Sequence, residues 1–369
     1  MSEAAASVTT GDIILSVDGL IKHFGGERQF PAGRSPLIRA VDGVSLDVRR
    51  GETFAIVGES GCGKSTLARL ILRLIEPTAG TLRFDGTDIT AISEEEMRRL
   101  RREMQIIFQD PFSSLNPRMT VGALIAEPLA VHGLASGAAR TSRVADILRK
   151  VGLPPEHAER YPHEFSGGQR QRIGIARALA TGPRLVIGDE PVSALDVSIR
   201  AQVINLLEDL KGELGLTLIL VAHDLAVIRH TSDRIAVMYL GEIVELADRD
   251  ALFDTPRHPY TRSLIAAIPV PVPGARSARE LLQGDPPSPA APPPGCRFHT
   301  RCPHAEAICR SERPILRQLA PGHTAACHLA ERLPPSPPAA AIAASSDAKR
   351  RRLALFAGAQ TDIATPSPQ

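Results

Sequence analysis

The chain has 369 residues, more than one typical domain, which predicts a large core domain with an appendage. Lysine and arginine number 43 against 41 acidic residues, and a net charge of +2 argues against a protein dedicated to binding DNA or RNA. The most apolar run, residues 214–222, is much shorter than the roughly 20 residues that cross a bilayer, so the sequence predicts no membrane span.

The N-terminal residues give no sign of export. Residues 1–11 lack a basic stretch followed by an apolar one, so we expect a cytoplasmic chain with a flexible N-terminus at residues 1–12. A reducing compartment argues against a disulfide framework for the five cysteines.

Residues 13–255 alternate short apolar runs with stretches of helical period, the pattern of a mostly parallel sheet flanked by helices. Leu67, Leu70, Ile71 and Leu74 recur at i, i+3, i+4 and i+7 and predict the first helix of the core. The fold class is therefore α/β. The candidate strands cover residues 53–57, 104–108, 185–189, 216–222 and 235–239.

A helical insertion is predicted at about residues 110–165. The strand pattern vanishes there, and Val144, Ile147, Leu148 and Val151 mark an amphipathic helix. We expect these residues to form a helical subdomain inserted into the α/β core.

A glycine-rich loop follows the first of these candidate strands and precedes a helix that begins near Thr66. Its sequence, Gly58-Glu-Ser-Gly-Cys-Gly-Lys-Ser65, fits the pattern G-x-x-x-x-G-K-S/T. Glycines let successive backbone N–H groups converge on phosphate oxygens at a helix N-terminus. Lys64 is expected to reach the β and γ phosphates, and Ser65 to ligate Mg²⁺. The predicted nucleotide contacts of this loop are Gly58, Glu59, Ser60, Gly61, Cys62, Gly63, Lys64, Ser65 and Thr66.

The candidate strand at residues 185–189 ends in two acids. Asp189 is expected to hold Mg²⁺ through water, and Glu190 to polarise the attacking water. A strand that ends in a charged turn is common, so these two acids by themselves are weak evidence for a Mg²⁺ and water site. The glycine-rich loop elsewhere in the sequence strengthens that interpretation. Gly188, just before them, is expected to affect packing rather than chemistry.

The segment Phe165-Ser-Gly-Gly-Gln169 precedes another predicted helix. A serine hydroxyl and glycine amides before a helix can form a second anion site, although an ordinary helix N-cap at Ser166 would look similar. With the following Arg170-Gln-Arg-Ile-Gly-Ile-Ala-Arg-Ala-Leu, the segment resembles the signature motif of ABC ATPases, with Phe165 where leucine is commonest.

The resemblance to ABC ATPases covers roughly residues 13–327. It implies a P-loop NTPase core with an antiparallel β subdomain and a helical insertion subdomain. Gln109 resembles the Q-loop residue that couples Mg²⁺ and water to the transmembrane partner, and His223 resembles the switch histidine at the γ phosphate. Phe24 stands where an aromatic ring stacks on adenine, although a lone phenylalanine is more often a core residue.

The resemblance also implies that two copies share each nucleotide. The residues that would serve the ATP of the opposite protomer are Ser166, Gly167, Gly168 and Gln169. Asp196 ends a segment that resembles the D-loop and joins the predicted nucleotide contacts. The implied catalytic residues are Glu190, His223, Gln109 and Lys64, and the implied Mg²⁺ ligands are Ser65, Gln109 and Asp189.

Three segments are similar to the oligopeptide, dipeptide and nickel importer branch of this family, and especially to its F-type ATP-binding subunits. They are Gln109-Asp-Pro-Phe-Ser-Ser-Leu-Asn-Pro117, Asp189-Glu-Pro-Val-Ser-Ala-Leu-Asp-Val-Ser198 and His258-Pro-Tyr-Thr261. The resemblance implies an ATPase that powers uptake of peptides, or of nickel or another small solute. It implies as partners a second ATPase subunit, identical or homologous, two transmembrane permease subunits and an extracytoplasmic solute-binding protein. It places the chain at the cytoplasmic face of the membrane, with no nucleic acid.

A C-terminal extension at residues 256–333 contains Cys296, Cys302, Cys309 and Cys327. Four thiolates suit Zn²⁺ or a 4Fe–4S cluster, although the spacing lacks the C-x₂-C pair usual for structural zinc. The resemblance favours the cluster, since some peptide-importer ATPases carry one. Zn²⁺ and metal-free thiols packed as small apolar groups are the alternatives. We therefore expect a small Cys-rich module at this end of the chain.

Two segments are not expected to pack. The proline-rich residues 285–294 predict an extended, poorly packed spacer before the cysteines. Residues 334–369 consist mostly of proline, alanine and serine with a basic cluster at residues 349–352, and predict a disordered, solvated tail.

Two other classes of function fit the sequence less well. A non-transport ABC ATPase of DNA repair or of the ribosome would usually carry a coiled-coil insertion or two complete motif sets, and the sequence shows neither. A redox sensor built on the cysteines would need an electron donor or acceptor, and nothing in that segment indicates one.

Overall fold

The computed structural model describes residues 13–26, 28–29, 33–110, 114–268 and 284–334. The predicted flexible N-terminus and, apart from Pro334, the predicted disordered tail lie outside the described residues. So do residues 111–113, which belong to the segment that begins at Gln109.

The described strands form three sheets. In chain order they are β1 (Ile13–Phe24), β2 (Arg28–Gln29), β3 (Gly33–Arg34), β4 (Ile38–Arg49), β5 (Thr53–Val57), β6 (Ala79–Phe84), β7 (Thr87–Asp88), β8 (Met104–Ile107), β9 (Leu185–Asp189), β10 (Thr217–Ala222), β11 (Arg234–Tyr239), β12 (Glu242–Asp248), β13 (Arg317–Ala320) and β14 (His323–Ala325).

The described α-helices are short to medium in length. They are Lys64–Ile71, Glu94–Leu100, Val121–Val131, Gly137–Lys150, Gly167–Leu179, Val197–Leu214, Leu225–Ile228, Arg249–Asp254, Pro259–Ala266 and Ala307–Ser311, with 3₁₀ turns at Pro155–Glu159 and Pro162–Glu164. Within the described ranges, no helix combines the length and the apolarity that a bilayer crossing requires.

The central sheet has the strand order β13-β14-β12-β11-β5-β10-β9-β8. The strands from β11 to β8 run parallel to their neighbours, and β12 is antiparallel to β11. Every residue of β5 and β9 is buried. A parallel strand that is covered on both faces is buried along its length, and its sequence is therefore a nearly continuous apolar run. These five parallel strands are the five candidates of the sequence, and each end agrees within one residue.

A second, antiparallel sheet has the order β4-β1-β6-β7. Its Leu15 and Phe84 share one buried core with Leu67 and Leu70 of the helix Lys64–Ile71. This helix was predicted to extend its apolar face to Leu74, which is wrong: the helix ends at Ile71 and Leu74 is 46% exposed.

The helical insertion packs around its own apolar centre. Leu124, Ile125 and Leu129 of the helix Val121–Val131 share a core with Leu148 of the helix Gly137–Lys150. The Thr120 hydroxyl accepts a hydrogen bond from the Ala123 N–H group and caps the first of these helices.

The C-terminal extension adds to the central sheet. β14 pairs with β12 through Ala325 and Glu245, and β13 pairs with β14. Tyr260 and Phe298 are fully buried in the core that also contains Tyr239 of β11. In the described residues the extension therefore shares its sheet and its core with the rest of the fold.

The proline-rich segment is docked, so the expectation of a poorly packed spacer is wrong at its centre. The Pro289 carbonyl accepts a hydrogen bond of 3.2 Å from the Arg39 N–H group of β4. Proline lacks an N–H group but keeps a normal carbonyl acceptor, which is the atom used here.

Candidate functional site

The glycine-rich loop of residues 58–63 connects β5 to the helix Lys64–Ile71. Gly63 has φ 106°, and a Cβ atom there would lie 2.0 Å from the Ala40 carbonyl oxygen. A Cβ atom at Gly58 would lie 2.1 Å from the Met238 carbonyl oxygen. The loop backbone thus packs directly against β4 and β11, and only glycine leaves room for that approach.

Lys64 lies inside this loop and is 3% exposed. Its Nζ donates hydrogen bonds to the carbonyl oxygens of Gly58 at 2.8 Å and of Glu59 at 2.9 Å. A phosphate group that entered the loop would meet a buried ammonium whose present partners are neutral carbonyls. A buried cation of this kind attracts anions strongly, because little water screens it.

The loop meets the end of β9 through Ser65 and Asp189. The Ser65 hydroxyl donates a hydrogen bond of 2.7 Å to Asp189 Oδ1. Burial raises the pKa of the Asp189 carboxyl, and the hydrogen bond from Ser65 opposes that effect. Hydroxyl and carboxylate oxygens are the ligands that Mg²⁺ prefers, so the residues present fit this ion.

Glu190 is the centre of a second cluster. Its Oε2 accepts a hydrogen bond of 3.1 Å from Gln109 Nε2 and lies 3.1 Å from His223 Nδ1. These residues follow β9, β8 and β10 respectively, and parallel neighbouring strands end at the same edge of a sheet. The fold therefore brings together three residues that lie far apart in the sequence.

A cavity of about 440 Å³ joins the two clusters. Its lining in the described part of the chain is Ile38, Ala40, Ser60, Gly61, Gly63, Lys64, Ser65, Thr66, Gln109, Glu190, His223 and Pro289. Four of the residues predicted to contact nucleotide are outside this lining: Gly58, Glu59, Cys62 and Asp189. The Glu59 carboxylate faces Arg301 instead, and the Cys62 thiol is buried, where burial raises its pKa.

The signature segment lies away from this lining. Ser166 caps the helix Gly167–Leu179: its hydroxyl accepts from the Gln169 N–H group, and the Gln169 side chain accepts from the Ser166 N–H group. Ser166 is exposed, and Gly167, Gly168 and Gln169 are half-buried. Within one chain these residues therefore form a helix cap and leave a surface open to another molecule.

Comparison with known proteins decides the family. A family model described as "ABC transporter" matches residues 41–193, and one described as "Oligopeptide/dipeptide transporter, C-terminal region" matches residues 244–309. A putative peptide import ATP-binding protein of Brucella ovis is 54% identical over 314 residues, which are 85% of this chain and 97% of that protein. This chain belongs to the ABC transporter ATPases.

Other relatives agree with this family. The oligopeptide transport ATP-binding protein AppF of Bacillus subtilis is 54% identical over 295 residues, covering 79% of this chain and 90% of that protein. Among solved structures, the ATP-binding cassette MJ0796, dimeric and bound to ADP and Pi after hydrolysis, has a TM-score of 0.57. It is 31% identical, covering 64% of this chain and 98% of that one. The predicted resemblance is confirmed.

As an ABC transporter ATPase the chain couples ATP hydrolysis to transport, with ATP and Mg²⁺ as its ligands. ATPases of this family pair with a second ATPase subunit and with transmembrane permease subunits.

Phe24 ends β1 at the rim of the ATPase site. Its ring is 40% exposed, and Lys22 Nζ lies 5.1 Å from the ring centroid. Its strand partner Ile38 lines the cavity, whereas Phe24 is outside the lining. The adenine-stacking role of Phe24 stays a prediction.

The segment that resembles the D-loop contacts the backbone carbonyl group of Glu190. The Ser193 hydroxyl donates a hydrogen bond of 3.1 Å to the Glu190 carbonyl oxygen. Asp196 is exposed at the N-terminus of the helix Val197–Leu214 and is outside the cavity lining. Its predicted contact with nucleotide would therefore involve a surface that faces outward.

The four C-terminal cysteines lie near one another. Cys309 and Cys327 are buried, and Cys296 and Cys302 are half-buried. Burial raises the pKa of Cys296 to about 12 and that of Cys327 to about 11, and Cys302 and Cys309 add to both shifts. Among the described residues, however, no group of three or more His, Cys, Asp or Glu side chains is arranged to hold a metal ion. The predicted Cys-rich metal module is thus not supported at the level of coordination geometry.

Three residues at the site were not predicted from the sequence. Pro289 lines the cavity from a segment whose composition predicts only an extended chain. Tyr260 and Arg301 both contact Glu59 of the glycine-rich loop. Tyr260 lies in the motif His258-Pro-Tyr-Thr261, and Arg301 lies between two cysteines, so both positions are in segments that the sequence marks as unusual. The spacing of neither segment indicates a contact with Glu59.

Proposed function

We propose that this chain is the ATP-hydrolysing subunit of an importer for di- and oligopeptides. The observation that supports the motor role is the cluster of Gln109, Glu190 and His223 at the edge of a cavity that contains the glycine-rich loop. The peptide substrate rests on relatives named for peptide import and on the matched C-terminal region. Nickel or another small solute is the alternative for the same motor.

The loop residues bind and orient the triphosphate in this proposal. Lys64 exchanges the carbonyls of Gly58 and Glu59 for β- and γ-phosphate oxygens, and the loop amides add further hydrogen bonds. Ser65 and, through water, Asp189 would hold Mg²⁺, and Gln109 would be a third ligand. When bound, Mg²⁺ supplies positive charge against the β and γ phosphates.

Glu190 is the residue that we assign to the attacking water. Its carboxylate is 14% exposed and faces the cavity, so it can accept a hydrogen bond from a water molecule there. Gln109 and His223 both contact the same oxygen, Oε2, which leaves Oε1 to the water. His223 is 49% exposed and can turn towards the γ phosphate.

The proposal needs a second ATPase subunit for a complete site. The cavity is lined by the loop and the catalytic cluster, and its lining does not include Ser166, Gly167, Gly168 or Gln169. In a paired arrangement the N-terminus of the helix Gly167–Leu179 would place its N–H groups at the partner's γ phosphate. ATP bound between the two subunits favours their closed arrangement, and hydrolysis of ATP lets the subunits separate.

The assembly that we propose lies at the cytoplasmic face of the membrane. This chain joins it peripherally through the helical insertion near Gln109, against two transmembrane permease subunits. An extracytoplasmic solute-binding protein delivers the peptide. No nucleic acid takes part, which agrees with a net charge of +2.

We also propose that the four C-terminal cysteines bind a 4Fe–4S cluster, with Zn²⁺ as the alternative. Support comes from the nearness of Cys302 and Cys309 to both Cys296 and Cys327, whose pKa values they help to raise. Movement of the side chains would have to bring the sulfurs together, because the geometry of the described residues is not that of a coordination site. Anaerobic purification with iron, sulfide and zinc analysis tests this. About four irons per chain or one zinc is expected, and a metal-free chain would contradict the assignment.

The transport function is tested on the assembled complex. The importer should be purified with its permease subunits, its bound solute identified by mass spectrometry, and ATP hydrolysis measured with and without that solute. Peptides in the bound fraction and a peptide-stimulated ATPase rate are the expected results. A complex that carries nickel or another solute would correct the substrate, and an ATPase that responds to nucleic acid alone would overturn the transport role.

A further inference from the structure

Glu59 of the glycine-rich loop is attached to the C-terminal extension at two points. Arg301 binds the Glu59 carboxylate with both terminal nitrogens, Nη1 to Oε2 at 2.6 Å and Nη2 to Oε1 at 3.0 Å. The Tyr260 hydroxyl accepts a hydrogen bond of 2.8 Å from the Glu59 N–H group. Both the side chain and the backbone of Glu59 are therefore fixed by residues outside the nucleotide-binding core.

The two attachments come from a rigid surface. Tyr260 is fully buried, with its ring 4.7 Å from that of Tyr239 and 5.4 Å from that of Phe298. The Arg301 side chain is 4% exposed and lies 6.0 Å from the Tyr239 ring. A two-point guanidinium–carboxylate pair held in an aromatic pocket has little freedom to rearrange.

Glu59 in turn sets the position of Lys64. The Glu59 carbonyl accepts from Lys64 Nζ at 2.9 Å and from the Cys62 N–H group at 3.3 Å. A displaced Glu59 peptide would therefore move both the ammonium and the amide groups that receive the phosphates. A binding loop that is already in its bound shape pays no ordering cost when the ligand enters.

The other end of the loop is held by the same segment. Arg297 lies four residues before Arg301 and donates a hydrogen bond to the Leu240 carbonyl in the turn between β11 and β12. The next residue of that turn, Gly241, donates its N–H group to the Cys62 carbonyl at 2.8 Å. The segment of residues 296–302 thus reaches the loop directly at Glu59 and through one turn at Cys62.

We propose that Arg301 is a positioning residue for nucleotide: it holds Glu59, and with it the glycine-rich loop, in the shape that binds the triphosphate. The C-terminal extension is then a working part of the ATP site. A change in the cysteine segment would reach the phosphates through Arg301. This inference rests on the nucleotide site proposed above.

A double-mutant cycle on the full-length chain tests the inference. In Arg301→Met the Glu59 carboxylate loses the ion-pair partner that fixes it, and the glycine-rich loop loses this attachment, so the Kd for MgATP should rise about tenfold or more. In that variant kcat at saturating ATP should fall much less, because Arg301 does not touch the catalytic cluster. Arg301→Lys keeps the charge but loses the two-point contact, so its Kd for MgATP should lie between those of the wild type and of Arg301→Met. Arg301→Met combined with Glu59→Gln should recover part of the lost affinity.

Arg317→Met is the matched control. Arg317 forms a two-point pair with Glu331 inside the same extension, with a weaker contact to the Cys327 carbonyl, and it does not touch the loop. Its Kd for MgATP should stay within about twofold of the wild type. The melting temperature of every variant without nucleotide reports folding separately.

The outcomes separate this inference from the nucleotide site itself. A wild-type chain that binds no MgATP would refute the site. Wild-type binding together with an unchanged Kd in Arg301→Met, or an equal change in Arg317→Met, would refute the role of Arg301. If Arg301→Met does not fold, Arg301→Lys and Tyr260→Phe decide, since each removes one contact to Glu59; unchanged affinity in both would overturn the proposal.

Discussion

Glu190 has an unusual backbone for a residue with a side chain. Its φ is 49°, in the left-handed region that few non-glycine residues adopt. The Glu190 N–H group donates to the Val221 carbonyl at 3.0 Å, and the Ser193 N–H group donates to the Glu190 carbonyl at 3.2 Å. These bonds hold a conformation that costs about 1–3 kcal/mol, and the result is a carboxylate aimed between Gln109 and His223.

Replacing this carboxylate with an amide tests its role. In Glu190→Gln the side chain keeps its shape but cannot polarise water, so kcat should fall about 100-fold or more while the Kd for MgATP changes little. Phosphate release and nucleotide binding are the two measurements. Glu95→Gln, on an exposed helix surface, is the control and should be fully active. Unimpaired turnover in Glu190→Gln would count against the assignment.

Gly188 gives a prediction about packing. A Cβ atom there would lie 2.9 Å from Pro191 Cγ and 3.2 Å from Leu220 Cδ2, and a proline ring cannot turn aside. Gly188→Ala should therefore destabilise the fold by about 1–3 kcal/mol in urea unfolding.

The matched control is Gly212→Ala in the helix Val197–Leu214, where a Cβ atom would meet nothing within 4 Å. That change should stabilise the fold by about 0.5–1 kcal/mol, because alanine loses less backbone entropy than glycine in a helix. Equal effects at the two glycines would show that backbone entropy, and not crowding at Gly188, decides the result.

At the scale of elements, the C-terminal extension depends on a buried junction with β12. Glu245 of β12 accepts hydrogen bonds from the N–H groups of Arg257 at 2.6 Å and His258 at 2.8 Å. His258 Nδ1 accepts from the Tyr260 N–H group at 3.1 Å and so caps the helix Pro259–Ala266. Burial lowers the pKa of His258 to about 3.

This histidine should make stability depend on pH. The unfolded chain protonates His258 near pH 6.5 and the folded chain does not until about pH 3, so stability falls as the pH drops below 6.5. The loss through this residue between about pH 7 and about pH 4.5 should be ~3 kcal/mol. His258→Asn keeps a capping side chain and should lose less stability over that range in urea unfolding. Parallel pH profiles of the two proteins would contradict this account.

The sequence predicted the elements whose cause is local. β5 and β9 are apolar runs next to glycines or acids, and the glycine-rich loop follows from its own spacing. β13 and β14 were missed because they are short and partly polar. β14 is stabilised by pairing with β12, some 80 residues earlier, and β13 by pairing with β14. The contacts of Arg301 and Pro289 with the nucleotide region are likewise non-local, and no periodicity along the chain indicates them.

At the scale of the whole molecule, the residues predicted to bind nucleotide lie in two separate places. The loop, Gln109, Glu190 and His223 surround one cavity, whereas Ser166 is exposed as a helix cap outside it. The surface at Ser166 has a use in hydrolysis only if it meets the cavity of another ATPase subunit. The central claim is therefore that ATP is cleaved between two subunits.

The concentration dependence of ATP hydrolysis tests this claim most directly. The specific activity of the purified chain should be measured over a dilution series, with sedimentation velocity at each concentration and with MgATP present. We expect the activity per chain to fall as the paired species dissociates, and to recover when a second ATPase subunit of the complex is added. A constant activity per chain in a particle that sediments as a monomer throughout would contradict the account.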